Sequence, residues 1–173
     1  GILSSCQELT PKSILKDMTD ILQHRGPDGE GHFITPQIAL GYRHFDVHRL
    51  TPKQAQTMLH LDRYAVTFDG RIYNLPELQA ELKQYDYIFD CESDSALLAA
   101  AYDHWGVECL HKLNADWAFV LYDTKNETYF ISRDRFGIKP LYYYTDSEKF
   151  IFASEIKSIH ASNQVTIAPN EIY

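Results

Sequence analysis

The side chains of this sequence that are best suited to chemistry occur in three short segments. The first holds His44 and His48, four residues apart. The second, Asp69-Gly70-Arg71, directly follows an alternating apolar run at residues 64–68, which predicts a strand. The third contributes Asp94, which opens an apolar helical pattern that is capped by either Ser93 or Asp94, so the plainest role of Asp94 is that of a helix N-cap. None of the three segments specifies a reaction by itself.

The spacing of the metal-binding residue types argues against a metal site. A histidine pair at i and i+4 can bind zinc, but His44 and His48 lie in a predicted strand or loop that brings no third ligand. The three cysteines, Cys6, Cys91 and Cys109, are odd in number and widely spaced, which does not fit a disulfide framework or a zinc knuckle. We expect Cys6 to be a buried structural thiol. The sequence therefore predicts no metal and a reducing, cytoplasmic setting.

The composition is that of an ordinary globular protein. The chain has 173 residues, of which 45% are hydrophobic and 23% charged, and this suits one domain with a sizeable core. A net charge of −8 without clustered basic residues argues against nucleic-acid binding. No apolar run approaches the ~20 residues of a membrane span, and no leader pattern opens the chain, so we expect no membrane partner.

The helical and strand patterns predict an α+β protein. Pro11 opens a helix with Thr10 as its N-cap, and apolar residues continue at helical spacing through Ile21 and Leu22. Residues 46–63 predict a long loop of the kind that is often functional. The other predicted helices span residues 76–84, 94–105 and 155–159, and the predicted strands span residues 2–6, 31–34, 38–45, 64–68, 117–122, 128–132, 141–144 and 150–153. Separate groups of helices among hairpin-like strands indicate antiparallel sheets in one domain over residues 1–173.

A charged segment at residues 133–143 lies between two of these strands. Two arginines flank Asp134, Gly137 permits backbone angles that other residues resist, and Pro140 ends the charged part. Taken alone, the segment predicts a solvated turn.

Seven motifs in one order along nearly the whole chain resemble a known family. They are Gly1-Ile2-Leu3, Arg25-Gly26-Pro27-Asp28-Gly29, Asp69-Gly70-Arg71-Ile72-Tyr73-Asn74, Ser93-Asp94, and the segments 117–123, 133–143 and 152–157. Their order is similar to that of the class II glutamine amidotransferase domain of asparagine synthetase-like proteins. The resemblance implies a four-layer αββα sandwich of two antiparallel sheets, which is the fold of the N-terminal nucleophile (Ntn) hydrolases.

The resemblance also implies an activity. In the family, a cysteine directly before the position of Gly1 attacks the side-chain amide of L-glutamine, with its own α-amino group as base, and releases glutamate and ammonia. The ammonia passes to a synthetase domain, in cis or in trans, where ATP and Mg²⁺ act; no cofactor is expected in this domain, and a homodimer is possible. The sequence begins at Gly1, so the cysteine could be omitted from it, removed, or absent from the natural protein.

The resemblance further implies where glutamine binds. The substrate-binding positions are His44, Phe45, Asp46, Val47, His48, Asp69, Gly70, Arg71 and Asp94. The family has an arginine for the glutamine carboxylate at the position of His44. Arg43 cannot replace it without a bulge, because neighbouring residues of a strand point to opposite faces. Asp94 matches the family acid that holds the substrate amino group.

The catalytic positions that the resemblance implies are Asp69 and Gly70, which correspond to an Asn-Gly oxyanion hole. A carboxylate at residue 69 adds a negative charge where another develops, and loss of one oxyanion donor costs about 10²–10³ in rate. Arg71, where the family commonly has glutamate, could pair with Asp69. Asp69 could also donate a hydrogen bond if a strongly raised pKa kept it protonated.

Two main hypotheses follow from these departures. The domain is either an active glutaminase with an altered pocket, or a degenerate amidotransferase-like domain that supports or docks a partner, as in β-lactam-forming and peptide-cyclising relatives. A binding module for an unrelated ligand is a third alternative. In all three, the resemblance makes residues 133–143 a scaffold motif, in which Arg133, Asp134 and Arg135 are expected to form a partly buried ion-pair network. Residues 142–144 are expected to pack in the core.

Overall fold

The structure is a computed structural model, and it describes residues 1–4, 9–45, 58–89, 93–166 and 168. The described elements divide into two compact units. One unit is formed by residues 1–46 and 141–173, and the other by residues 47–140.

The first unit has a five-stranded antiparallel sheet with the strand order β2-β3-β1-β9-β8. Its elements are β1 (Ile2–Ser4), α1 (Lys12–Asp20), β2 (Gly29–Ile34), β3 (Ile38–His44), β8 (Tyr142–Thr145), β9 (Lys149–Ala153) and α5 (Ile156–Ala161). The central strand β1 pairs with β3 on one side and with β9 on the other. Ile2, Met18, Ile151, Ala153 and Ile159 form a buried cluster that joins this sheet to α1 and α5.

The second unit has a four-stranded antiparallel sheet with the order β4-β5-β6-β7. Its elements are β4 (Leu59–His60), β5 (Tyr64–Ile72), α2 (Leu75–Lys83), α3 (Asp94–Trp105), a 3₁₀ turn (Gly106–Glu108), α4 (Cys109–Lys112), β6 (Ala115–Asp123) and β7 (Thr128–Arg133). Buried apolar residues of β5, β6, α2 and α3 share one core, which includes Val66, Leu78, Leu98 and Phe119. Two antiparallel sheets with separate helices confirm the α+β prediction.

Most predicted elements are present, but the ends of α1 differ from the prediction. The N-cap position is Pro11, and no side chain caps the helix, so the prediction for Thr10 is wrong. The helix stops at Asp20, and the amide of Leu22 bonds to the Thr19 carbonyl three residues back. Ile21 and Leu22 therefore lie in a following turn, although the apolar spacing continues through them.

Three short elements were not predicted. They are β4, which falls within the predicted loop 46–63, the 3₁₀ turn and α4. Residues 46–57 of that loop lie outside the described residues, as does the end of the first predicted strand. In the described part of the chain, no helix is long and apolar enough to cross a membrane.

The three consecutive tyrosines of β8 do not all pack in the core, so this prediction is wrong for two of them. Tyr142 and Tyr143 are exposed, and only Tyr144 packs against the buried cluster of the first unit. Tyr143 stacks on Phe150 with its ring centroid 5.3 Å away. Alternation along the strand places Tyr143 on the other face from its two neighbours.

Candidate active site

His44 ends β3, where its backbone holds the Gly26–Gly29 turn. The amide of Asp28 donates to the His44 carbonyl at 3.0 Å, and Pro27 forms an isolated bridge with His44. A Cβ atom on Gly26 would lie 2.5 Å from the His44 nitrogen, so only glycine fits this approach. The motif at residues 25–29 thus fixes the backbone at the predicted carboxylate-binding position.

The Arg43 side chain makes its contacts on the other side of the strand from that position, as the alternation of side chains along a strand predicts. Its guanidinium lies 2.5 Å from Asp20 and 3.1 Å from Glu30, and its Nε atom donates to the Thr19 carbonyl at 2.9 Å. Arg43 therefore ties β3 to α1 and β2. Of the remaining predicted residues in this segment, Phe45 is exposed, whereas Asp46, Val47 and His48 lie outside the described residues.

Gly1 continues the pairing of β1 with β9. Its nitrogen donates to the Phe152 carbonyl at 2.6 Å, and the Phe152 amide donates back to the Gly1 carbonyl at 2.9 Å. A Cβ atom on Gly1 would lie 2.8 Å from the Ala39 carbonyl oxygen. The backbone of Gly1 is therefore fixed, and its tight packing requires a residue without a side chain.

The register of β5 determines the direction of the Gly70 amide. Gly70 pairs with Trp117 of β6, but the Trp117 carbonyl accepts from Asp134 on the opposite side at 2.8 Å. Gly70 and Trp117 are thus a non-hydrogen-bonded pair, and the Gly70 N–H turns away from β6. The amide of Ile72, two residues on, points the same way and meets the Asp94 carboxylate. Gly70 therefore presents a backbone donor on the Asp94 side of the strand.

Asp94 is held by the end of β5 rather than by its own helix. Its Oδ1 atom accepts from the Ile72 amide at 2.9 Å, and its Oδ2 atom lies 3.4 Å from the Arg71 guanidinium. Burial raises the pKa of Asp94 above its usual value, and the Ile72 and Arg71 contacts oppose this shift. The N-cap of α3 is Ser93, whose hydroxyl accepts from the Ala96 amide. Asp94 is therefore a largely buried carboxylate that does not act as the cap.

Asp69 lies opposite a lysine that the sequence analysis did not single out. Lys139 Nζ is 3.5 Å from Asp69 Oδ1, and each side chain is about one-third exposed. The ion pair that the structure shows for Arg71 is with Asp94, whereas the sequence suggested Asp69 as its partner. The positive group that the structure shows next to Asp69 is thus the ammonium group of Lys139.

The segment 133–143 is organised around a buried carboxylate. Asp134 is only 7% exposed, and its oxygens accept from the backbone amides of Phe136, Ile138 and Lys139 at 3.0–3.1 Å. These bonds lower the pKa of Asp134 against the opposing effect of desolvation. Arg133 bonds to the carbonyls of Gly137 and Lys139. The low exposure agrees with the prediction, but backbone amides and carbonyls, rather than an ion-pair network, satisfy these charges.

The described residues contain no group of three or more His, Cys, Asp or Glu side chains arranged for a metal ion. Cys109 is a free, buried thiol, and burial raises its pKa to about 11, which leaves it unreactive near neutral pH. Cys6 and Cys91 lie outside the described residues.

Sequence reasoning missed the contacts that connect distant motifs. Lys139 reaches Asp69 over 70 positions of sequence, and the Tyr73 hydroxyl donates to Asp116 at 2.5 Å. The signal in the sequence for the Lys139–Asp69 pair is their opposite charge, because a lysine in one motif could neutralise the unusual carboxylate in another. The hydroxyl–carboxylate contact left no signal in the local pattern.

A solved structure shares this fold. It is glutamine phosphoribosylpyrophosphate (PRPP) amidotransferase from B. subtilis, complexed with ADP and GMP, which matches with a TM-score of 0.76 at 19% sequence identity. The match covers 94% of this chain and 42% of that chain. At this identity the likeness establishes the fold, which is α+β of the Ntn-hydrolase type.

The family is established by the sequence itself. Residues 1–172 match the family described as "Glutamine amidotransferase domain", and the chain belongs to this family. The chain is 34% identical over 162 residues to asparagine synthetase [glutamine-hydrolyzing] 1 of Bacillus subtilis, covering 93% of this chain and 26% of the relative. It is 33% identical to putative asparagine synthetase [glutamine-hydrolyzing] 2 of Methanocaldococcus jannaschii, covering 98% of this chain and 36% of the relative. The chain thus spans about a quarter to a third of these relatives' length.

Proposed function

We propose that this domain hydrolyses L-glutamine to glutamate and ammonia for a synthetase domain of an asparagine synthetase-like protein. The observation that carries the proposal is the family match over residues 1–172 together with the relatives, whose names describe glutamine-hydrolysing asparagine synthetases. The synthetase domain would lie in the part of the relatives that this chain does not span. ATP and Mg²⁺ would act there, and this domain would need no cofactor.

The nucleophile of the proposal is a cysteine joined to the nitrogen of Gly1. That nitrogen is fully buried, and burial lowers the pKa of an amino group there to about 4. A peptide N–H would keep the 2.6 Å bond to the Phe152 carbonyl without placing a charge in a dry environment. The proposal accordingly treats the Gly1 nitrogen as a peptide N–H.

The proposed reaction follows nucleophilic acyl transfer. The cysteine sulfur forms a bond to the side-chain amide carbon of glutamine, with the cysteine α-amino group as base. The Gly70 N–H would donate to the resulting oxyanion, the C–N bond breaks, and ammonia leaves with the transferred proton. Water then hydrolyses the thioester to glutamate and restores the thiol.

The family resemblance assigns substrate recognition to two segments of the chain. Asp94 would hold the α-ammonium group of glutamine, and the segment beginning at His44 would hold its α-carboxylate. An imidazole can replace a guanidinium only in part, because it cannot form the same two parallel hydrogen bonds to a carboxylate. We therefore expect the glutamine carboxylate to be bound more weakly than by an arginine. A homodimer and a cytoplasmic location are further parts of the proposal.

Glutamate release by the full-length natural protein tests the proposal. With a cysteine before Gly1, L-glutamine should be converted to glutamate, and replacement of that cysteine by alanine should abolish the conversion. Thermal melting with and without glutamine should show stabilisation in both proteins, because the alanine variant keeps the binding groups. Stabilisation without any glutamate release would contradict hydrolysis and favour the degenerate docking domain. If glutamine neither stabilises the protein nor is converted to glutamate, glutamine is excluded as the ligand.

A further inference from the structure

Asp69 has the wrong charge for the oxyanion position that it occupies in the proposed function. Its carboxylate accepts hydrogen bonds where an amide would donate one, and its charge repels the negative oxygen of a tetrahedral intermediate. Lys139 brings a positive charge next to it, with Nζ 3.5 Å from Asp69 Oδ1. The pair is about one-third exposed, so water screens it only in part.

The sheet register brings the two residues together. Asp69 of β5 pairs with Ala118 of β6, and Ala118 pairs in turn with Arg133 of β7. Directly paired residues share one face of a sheet, so Asp69, Ala118 and Arg133 form a row across three strands. The central member of this row is the small residue alanine. A long side chain from the segment after Arg133 can therefore reach over Ala118 towards Asp69.

The backbone of Lys139 is fixed from both sides by that segment. Its amide donates to Asp134 Oδ2 at 3.0 Å, and its carbonyl accepts from Arg133 Nε at 2.6 Å. Asp134 is buried and accepts hydrogen bonds from two further backbone amides of the same loop, and these bonds fix the loop backbone. The flexible part of Lys139 is thus confined to its side chain, which starts from a defined position near Asp69.

We propose that Lys139 is a positioning residue for the amidotransferase reaction, acting through Asp69 to neutralise the carboxylate at the oxyanion position. This inference rests on the proposed function and deepens it. Neutralised by the ammonium group, Asp69 leaves the Gly70 N–H to stabilise the developing oxyanion. The segment at residues 133–143 thereby serves catalysis as well as the scaffold, because its buried carboxylate holds the lysine that compensates Asp69.

A double-mutant cycle in the full-length natural protein tests this role. Lys139→Gln should lower kcat about tenfold with KM little changed, because the part of the Asp69 charge that Lys139 offsets acts mainly on the transition state. In an Asp69→Asn background the same change should lower kcat less than about twofold, since no carboxylate remains to be neutralised. Lys139→Arg should retain most of the activity. Glutamate release measures each kcat, and thermal melting checks that every variant is folded.

Lys83→Gln is the matched control, because it removes the same charge from an exposed position at the end of α2 and should leave kcat unchanged. If the parent protein is active and Lys139→Gln leaves its kcat unchanged, the role of Lys139 is overturned but the proposed function stands. An equal loss in both backgrounds would also overturn it, since Lys139 would then act independently of Asp69. A parent that binds no glutamine and releases no glutamate would overturn the proposed function and this inference together.

Discussion

Asp94 combines burial with an ion pair to Arg71, and this makes its protonation state a sensitive control of substrate binding. Its side chain is 16% exposed, and burial raises its pKa, whereas an exposed aspartate stays ionised well into the acidic range. The proposed contact with the glutamine ammonium group needs the ionised form. We therefore predict that KM for glutamine rises as the pH falls through the raised pKa of Asp94, measured from glutamate release in a series of buffers.

Asp94→Asn should remove most of this pH dependence of KM. The KM itself should rise about 10–100-fold, because a hydrogen bond to a charged group contributes roughly 1.5–3 kcal/mol. The control is Asp17→Asn on the exposed side of α1, which should leave KM unchanged. A KM in Asp94→Asn equal to that of the parent would show that this carboxylate does not bind the substrate.

Asp123 is a buried carboxylate with a structural role. Arg63 donates to both of its oxygens at 2.9 and 2.6 Å, and the Lys125 amide and Asn126 side chain add further bonds. These donors lower the pKa of Asp123 to about 2. A lowered carboxyl pKa stabilises the folded state above the unfolded value, and this stabilisation is lost as the pH falls through the folded value.

Asp123→Asn should therefore lower the free energy of unfolding by about 2 kcal/mol at pH 7, since each unit of pKa shift corresponds to about 1.4 kcal/mol. The difference from the parent protein should be constant from pH 7 to about 5 and should shrink between about pH 4 and 2. Urea denaturation at each pH measures it. A difference that stays constant down to pH 2 would show that the charge of Asp123 is not the cause.

At the scale of elements, the turn within residues 133–143 depends on one glycine. Gly137 has φ +63°, and a Cβ atom there would lie 2.7 Å from Nη2 of Arg133, whose guanidinium is already bonded to two carbonyls. Gly106, after α3, has φ +58° with nothing within 4 Å of such an atom. Both glycines have φ values that favour glycine, but only at Gly137 would an added side chain also collide with a neighbour.

Gly137→Ala should destabilise the parent protein by about 1 kcal/mol more than it destabilises an Arg133→Ala variant, because in the parent the Arg133 bonds must shift as well as the backbone. Thermal or urea denaturation measures the loss in each background. Equal losses of stability would mean that Arg133 moves aside without cost, and the loop would then hold Lys139 less firmly than proposed.

The elements that the sequence predicts well are those with a clear local pattern. The alternation at residues 64–68 and the apolar spacing of α3 correspond to β5 and α3. The turn after α1 was missed because Ile21 and Leu22 extend the helical spacing, while tertiary contacts decide where the helix stops. Tyr142 and Tyr143 were misplaced because aromatic residues favour strands without showing which face of the sheet is buried.

At the scale of the whole molecule, motif order predicted the family, whereas the details of the site required the structure. Asp69, Gly70 and Asp94 could be selected from the motifs that carry them. The Lys139–Asp69 and Ile72–Asp94 contacts could not, because each depends on strand register across residues far apart in sequence. The roles of His44 and of the segment up to residue 48 stay predictions.

The central claim is that this domain cleaves the glutamine amide through a covalent thioester on a cysteine joined to Gly1. The most direct measurement is mass spectrometry of the full-length natural protein after acid quenching during turnover with L-glutamine. The account predicts a glutamyl group on the peptide that contains that cysteine and Gly1, and its absence when the cysteine is replaced by alanine. Glutamate release without this adduct, at a rate unaffected by the alanine replacement, would contradict the account.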